Sequence, residues 1–316
     1  MLCINLETTD PFFNLALEEY YFRTRTEDFF IVNINSPSII IGKHQIANEE
    51  VNNRFVESRG VPVIRRITGG GTVYHDHGNI NFTFISSGEP GTMVNFKKHT
   101  SPVTAFLNSL DVDARFEGKN DIRTGGLKVS GNAEHVFKNR VLHHGTLLFN
   151  STLTDLRDSL LMTEGKYTSR AVASNRTSVT NLTDQLPDIN SAAELKSELM
   201  KYVIITTPDT ELFNPGRSDV AEITALAESK YKTWEWNYAY GPAYRFTNRF
   251  EFRGKMHCCD LNVKEGMIWS SRITGSEILE TPGREMVDLR HHFPDVAEYF
   301  DTLLPGDGRE LAFSFF

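Results

Sequence analysis

Cysteine is scarce in this 316-residue chain, which holds only Cys3 and the adjacent pair Cys258 and Cys259. Neighbours on a strand face opposite ways, so that pair suits neither a disulfide nor a shared metal site. Long apolar runs are missing too. No segment approaches the ~18 residues needed to span a bilayer. Met1-Leu2-Cys3-Ile4-Asn5 lacks a basic stretch followed by an apolar block, so no secretory signal is expected. Together these absences predict a cytoplasmic protein with reduced thiols. Positive charge is in deficit: the net charge of −8 argues against a general nucleic-acid binder. Any anionic substrate must therefore be drawn by a local basic cluster. The common nucleotide fingerprints are absent as well. Gly42-Lys43 is followed by His44, with Pro37 where a P-loop needs its first glycine, and Tyr74 interrupts any GxGxxG pattern from Gly69.

What is present centres on Arg65-Arg66-Ile67-Thr68-Gly69-Gly70-Gly71-Thr72-Val73-Tyr74-His75-Asp76. Strand-like segments flank it: β-branched Val61 to Ile64 before, and alternating Ile80, Phe82 and Phe84 after. Glycines let successive amides converge on one anion, and the arginines add planar donors suited to phosphate or carboxylate. A plain glycine turn with solvated arginines is the bland alternative. Paired arginines before the turn and Tyr-His-Asp-His after it favour an anion cradle.

The chain is long enough for one large domain or two, and 40% hydrophobic content suffices for a packed core. Asp10-Pro11 opens a helix through Phe13, Ala16, Leu17, Tyr20 and Tyr21. Strands are predicted at Phe30 to Ile34, Ile39 to Ile41, 127–130 and 145–149. Helices are predicted over Glu49 to Arg59, around Val103 to Leu110, and from the capping box Ser191 to Glu194 onward. Residues 163–180 form a polar stretch that reads equally as a lid or as a linker. Trp234, Trp236, Tyr238, Tyr240 and Tyr244 crowd around Gly241-Pro242. A domain boundary is placed near residue 246, giving units of 1–246 and 247–316. In the second unit, two strands around the Gly266 turn precede a helix from Leu289 to Leu303 and a last strand from Leu311 to Phe316.

Two further groups carry chemistry. After Asn120-Asp121 and the Gly125-Gly126 turn comes Leu127-Lys128-Val129-Ser130-Gly131-Asn132. Lys128 faces away from its apolar neighbours, and Lys-Val-Ser-Gly puts an ammonium, a hydroxyl and open backbone in one stretch, suited to binding phosphate and polarising a carbonyl. Asp121 is a candidate for Mg²⁺, with turn formation the commoner role for Asn-Asp. In His143-His144-Gly145-Thr146, one histidine at most joins a given site. His75 and His77, two apart, form a weak metal pair with no third ligand nearby. Hydrogen bonding is the expected role for His75 and His144.

These three segments, in this order, resemble the lipoate–protein ligase A family. Asn14-Leu15-Ala16-Leu17-Glu18-Glu19, Gly42-Lys43-His44-Gln45 and Val179-Thr180-Asn181-Leu182 also resemble family segments. The likeness runs from about residue 10 to 240, and the tail resembles a small accessory domain. The resemblance implies an α/β (α+β) mixed sheet of the biotin/lipoate protein ligase catalytic domain, plus a small C-terminal α+β accessory domain. It also implies an enzyme that activates lipoate or octanoate with ATP and Mg²⁺ and passes the acyl group to a lysine. The acceptors implied are apo lipoyl domains of 2-oxoacid dehydrogenase complexes and the glycine-cleavage H protein. Nucleic acid and membrane have no place in it, and a monomer suffices. On the same resemblance Lys128 is the catalytic lysine. Arg66, Gly71, Thr72, Val73, Tyr74 and Lys128 bind ATP. Lys128, Arg66, Thr68 and His75 bind lipoate, with Ser130, Gly131 and His144 in support. Aromatic and aliphatic strand residues would line the acyl tunnel.

Four other readings compete. An amidotransferase of the same fold needs a cysteine near Lys128, and none is near in sequence. A lipoyltransferase fed with preformed lipoyl-AMP would share nearly every residue, although the tail disfavours it. A non-catalytic lipoate or nucleotide sensor would not need Lys128. A metal hydrolase built on His75 and His77 comes last.

Overall fold

Asp10 caps the first helix as its chemistry dictates: Oδ1 accepts from the Phe12 amide at 2.9 Å, and Pro11 sits where no N–H is needed. The helix, Pro11–Thr24, buries Leu15, Leu17, Tyr21 and Phe22, but also Asn14, Glu18 and Glu19. Carboxylates on a buried helix face require partners. That requirement marks the helix as the wall of a polar site.

The computed structural model describes residues 1–88, 94–160, 166–172, 174 and 177–316. Among them, eight strands form one mixed sheet in the order Glu211–Leu212, Leu2–Asn5, Phe29–Asn33, Asn79–Ser87, Arg140–Leu148, Leu127–Phe137, Asp121–Thr124 and Ala114–Glu117. Pairing is parallel among the first three strands and antiparallel beyond. Strand Phe29–Asn33 is buried on both faces. Phe30 and Val32 pack with Phe106, Leu195 and Leu199, residues of helices Phe96–Ser109 and Ala192–Thr206. Phe29 and Ile31 pack with Leu15, Leu17 and Ile223, residues of helices Pro11–Thr24 and Arg217–Leu226. A three-stranded sheet, Val63–Arg65, Ser38–Ile41 and Val73–His75, carries the glycine loop between its outer strands. The third sheet is Tyr167–Ser169, Tyr244–Phe252, Lys255–Lys264 and Met267–Thr274, over a core running from Phe246 to Phe316. No helix among the described residues is long and apolar enough to cross a membrane.

The mixed α/β class agrees with expectation, and two elements differ. The helix predicted over Glu49 to Arg59 is split into Ala47–Glu50 and Asn53–Arg59. Asn52 breaks it, because its side chain accepts the Arg54 amide and caps the second piece. The last segment is helical, with Gly308–Ala312 followed by a 3₁₀ turn at Phe313–Phe315. A short apolar run has no period that separates strand from helix; here Leu311, Ala312, Phe315 and Phe316 bury themselves at helical spacing. Of the polar stretch 163–180, residues 163–165, 173, 175 and 176 lie outside the described residues.

Candidate active site

The two arginines of the glycine segment do different work. Arg65 is fully buried and gives its guanidinium protons to the carbonyls of Gly42, Lys43, Gln45, Trp236 and Asn237. Trp236 Nε1 returns a bond to the Arg65 carbonyl at 2.7 Å. Arg65 is therefore no phosphate ligand, a correction to the sequence reading, and the aromatic 234–240 segment is its anchor. Arg66 donates to the carbonyls of Ile40, Gly69 and Gly71 and to Thr68 Oγ1, stiffening the loop from inside. Burial lowers its pKa to about 10, which leaves it charged at neutral pH. Gly70 needs a positive φ of 85°. A Cβ on Gly42 would stand 2.1 Å from the Gly70 carbonyl oxygen, so the loop folds directly onto that backbone.

Below the loop lies a cavity of about 420 Å³. Arg66, Gly71, Thr72, Val73, His75, Asp121, Lys128, Gly131 and His144 all line it, with Glu18, Asn14, Asn33, Asn35 and Asn81. Three predicted residues stand behind the wall. Tyr74 packs its ring on Phe55, Ser130 is buried against Asn132, and Thr68 reaches the cavity only through His144 and Arg66. Of the aromatic and aliphatic strand residues expected along an acyl tunnel, aliphatic Ile40 and Val73 line this cavity. Leu15, Ile40 and Val73 supply the large apolar wall, while the phenylalanines fill the core on either side of the sheet.

Lys128 Nζ lies 2.9 Å from Asp121 Oδ1, and Arg123 holds Oδ2 at 2.8 Å. The hairpin Asp121–Thr124 and Leu127–Phe137 brings the three together. A Cβ on Gly131 would come within 3.0 Å of the lysine tip, so glycine there keeps room for it. His144 Nδ1 donates to Glu18 Oε2 at 2.9 Å, leaving Nε2 to accept from Thr68 at 2.8 Å. Glu18 Oε1 takes the Thr83 hydroxyl. His75 is the odd group. Asn14 fixes Asn35 by donating to its Oδ1, and Asn35 Nδ2 then donates to His75 Nδ1 at 3.0 Å. The ring proton is thus on Nε2, which is buried without a partner among the described residues. Burial first, then Arg66 and His144, push its pKa down to about 3. The result is a neutral N–H donor on a residue that lines the cavity. His77 lies exposed in the turn beyond the strand end, so it shares no face with His75.

Described residues of the polar stretch bind the loop and the lysine strand. Ser174 Oγ accepts from the Thr72 amide at 2.8 Å and from Gln45 Nε2 at 3.0 Å, and its hydroxyl meets Glu50. Val179 bridges Lys128 through backbone bonds from Lys128 to Ser178 and from Thr180 to Lys128. Sequence reading assigned no role to Glu18, Gln45 or Glu50. Glu18 had a signal: a carboxylate on the apolar stripe of a helix.

Fold and site together define a catalytic domain of the mixed α/β class with a cationic, glycine-walled cleft. Residues 10–204 match the family described as the lipoyl protein ligase A/B catalytic domain, and the chain belongs to that family of enzymes. It is 39% identical over 273 residues to lipoate–protein ligase 1 of Staphylococcus aureus, covering 86% of this chain and 83% of that one. Among solved structures, it resembles a bi-partite lipoate protein ligase of Thermoplasma acidophilum described with its E2 lipoyl domain. That match has a TM-score of 0.64 and 25% identity, covering 75% of this chain and 95% of the other. A lipoate–protein ligase A bound with ATP matches at TM-score 0.64 and 27% identity, covering 75% and 97%.

Proposed function

We propose that this protein is an ATP-dependent lipoate–protein ligase. In the first half-reaction the carboxylate of lipoate, or of octanoate, attacks the α-phosphorus of ATP, and pyrophosphate leaves. In the second, the ε-amine of an acceptor lysine attacks the acyl carbonyl, AMP leaves, and the amine loses a proton. The observation that carries this reading is one cavity lined by both Lys128 and His75, whose Nε2–H has no partner among the described residues, under a glycine loop. Lys128 stabilises charge on the α-phosphate and the acyl oxygen in both steps. Arg66 and the backbone of Gly71 to Tyr74 hold the nucleotide. Thr68 acts through His144, and His75 donates to the acyl substrate.

Mg²⁺ brought with the triphosphate would neutralise phosphate charge there. Asp121 is the carboxylate at hand for it, although both oxygens are already paired to cations. Asp121 would be the residue to hold the ion, in competition with Lys128 and Arg123. The acceptors are apo lipoyl domains of 2-oxoacid dehydrogenase complexes and the glycine-cleavage H protein, met by a cytoplasmic monomer. The chain up to strand Tyr244–Phe252 serves as the catalytic unit and the remainder as the accessory one, the expected boundary at 246 falling inside that strand.

The test is the intact mass of an apo lipoyl domain after incubation with this protein, lipoate and MgATP. An added lipoyl mass that requires ATP is expected. Modification only from synthetic lipoyl-AMP would make the protein a transferase, and none from either would return it to the sensor reading.

A further inference from the structure

On the face of the sheet away from the cavity, a second group of titratable side chains is buried without a role in the chemistry above. Glu134 and His143 stand directly opposite each other in the antiparallel ladder. Helix Phe96–Ser109 brings His99 down onto them. Glu134 Oε1 is 2.9 Å from His143 Nδ1 and 3.1 Å from His99 Nδ1, and the three ligand atoms lie within 4.8 Å of one another. All three side chains are at least 95% buried.

The proton positions are constrained. Asn132 Nδ2 donates to the Asn120 carbonyl and to Ser130, which turns Oδ1 toward His143 Nε2 at 3.1 Å. An amide oxygen can only accept, so His143 carries its proton on Nε2. Its Nδ1 lone pair then faces a carboxylate oxygen. Two acceptors 2.9 Å apart need a positive charge between them. One proton would serve the Glu134–His143 pair, yet a second imidazole converges on the same oxygen.

We propose that His99, Glu134 and His143 bind a transition-metal dication of the Zn²⁺ class. Two imidazole nitrogens and one carboxylate suit such an ion and disfavour Mg²⁺ or Ca²⁺, which take all-oxygen shells. A tetrahedral Zn²⁺ with bonds of about 2.1 Å sets its ligand atoms roughly 3.4 Å apart, so small movements complete the site. The surroundings match those of held metals. Each remaining ring nitrogen has a polar partner, Ser86 Oγ at 3.1 Å for His99 and Asn132 for His143. Phe82, Phe84 and Phe96 wall the rings. The ion would clamp helix Phe96–Ser109 to the sheet, independently of the ligase reading.

The test uses untagged full-length protein stripped with a chelator and dialysed against Zn²⁺, Co²⁺ or Mg²⁺. One retained equivalent of Zn²⁺, a raised Tm and the visible absorption of low-coordinate Co²⁺ are expected, with no retained Mg²⁺. Glu134→Gln keeps the side-chain size. It should weaken Zn²⁺ by more than about 100-fold, because losing a ligand exceeds the roughly 10–100-fold cost of losing a supporting bond. Equal Zn²⁺ retention by Glu134→Gln overturns the proposal. So does the absence of Co²⁺ absorption in the unsubstituted protein, a reading that stands even if the variant fails to fold.

Discussion

Lys128 shows how a residue's environment sets what its loss would cost. Its side chain is 22% exposed, and Asp121 keeps Arg123 as a second partner. A partly exposed pair of this kind is worth about 0–1 kcal/mol, so Lys128→Ala should leave the melting temperature nearly unchanged. Pyrophosphate release should nevertheless fall by about 100- to 1000-fold, the scale of losing one preorganised charge at the reacting centre. Unchanged release would remove Lys128 from the mechanism. His75 supports a second prediction. Its native pKa is about 3 against 6.5 in the unfolded chain, and burial likewise lowers His291 to about 4. Between those values the unfolded chain binds protons that the native protein refuses, so stability must fall as pH drops from 6.5 toward 4. Each such histidine steepens the slope by about 1.4 kcal/mol per pH unit. Calorimetry from pH 7 to 4.5 checks it, and a flat Tm would mean the native rings titrate normally.

At the scale of elements, the glycine loop and the polar stretch over it act as one unit. Ser174 ties the stretch to Thr72, Gln45 and Glu50, while Ser178 to Thr180 pair with the backbone of Lys128. A ligand held by Lys128 and the loop would therefore also hold the stretch down. Trypsin should cut at exposed Arg170 in the free protein, and at least about 10-fold more slowly with lipoate and MgATP, as expected when a cleavage site must open locally first. Equal cleavage rates would make the stretch a linker. The sequence signalled this element by composition alone, since residues poor in apolar side chains cannot bury themselves. It did not signal which end would touch the glycine loop.

For the whole molecule, the C-terminal unit is stitched into the rest. Tyr167–Ser169 pairs with the strand Tyr244–Phe252, Asn48 Nδ2 donates to the His291 carbonyl at 2.6 Å, and Lys166 reaches the Phe316 carbonyl. The boundary at 246 falls inside that strand. A chain of residues 1–246 should consequently melt several degrees lower than the full chain and bind more of a hydrophobic dye, because the cut leaves Tyr244 and Phe246, on which Tyr167 packs, without the rest of their strand and without its ladder partner Lys255–Lys264. An unchanged melting curve would make the catalytic unit independent.

Local physics was legible directly. The Asp10-Pro11 cap, the Ser191–Glu194 turn, the alternation around Phe82, and the opposite faces of His143 and His144 each follow from neighbouring residues and one backbone period. The glycine segment and Lys128 could be singled out because their residue types are costly to place without a ligand. Tertiary structure alone decided which buried polar group met which. Arg65 and Arg66 are chemically identical in the sequence, yet one binds five carbonyls of distant segments and the other lines the cavity. Glu18 and His144 lie 126 positions apart, and His99 meets Glu134 only because a helix packs across two strands. A buried charge announces that it needs a partner; only the packed chain brings that partner within 3 Å.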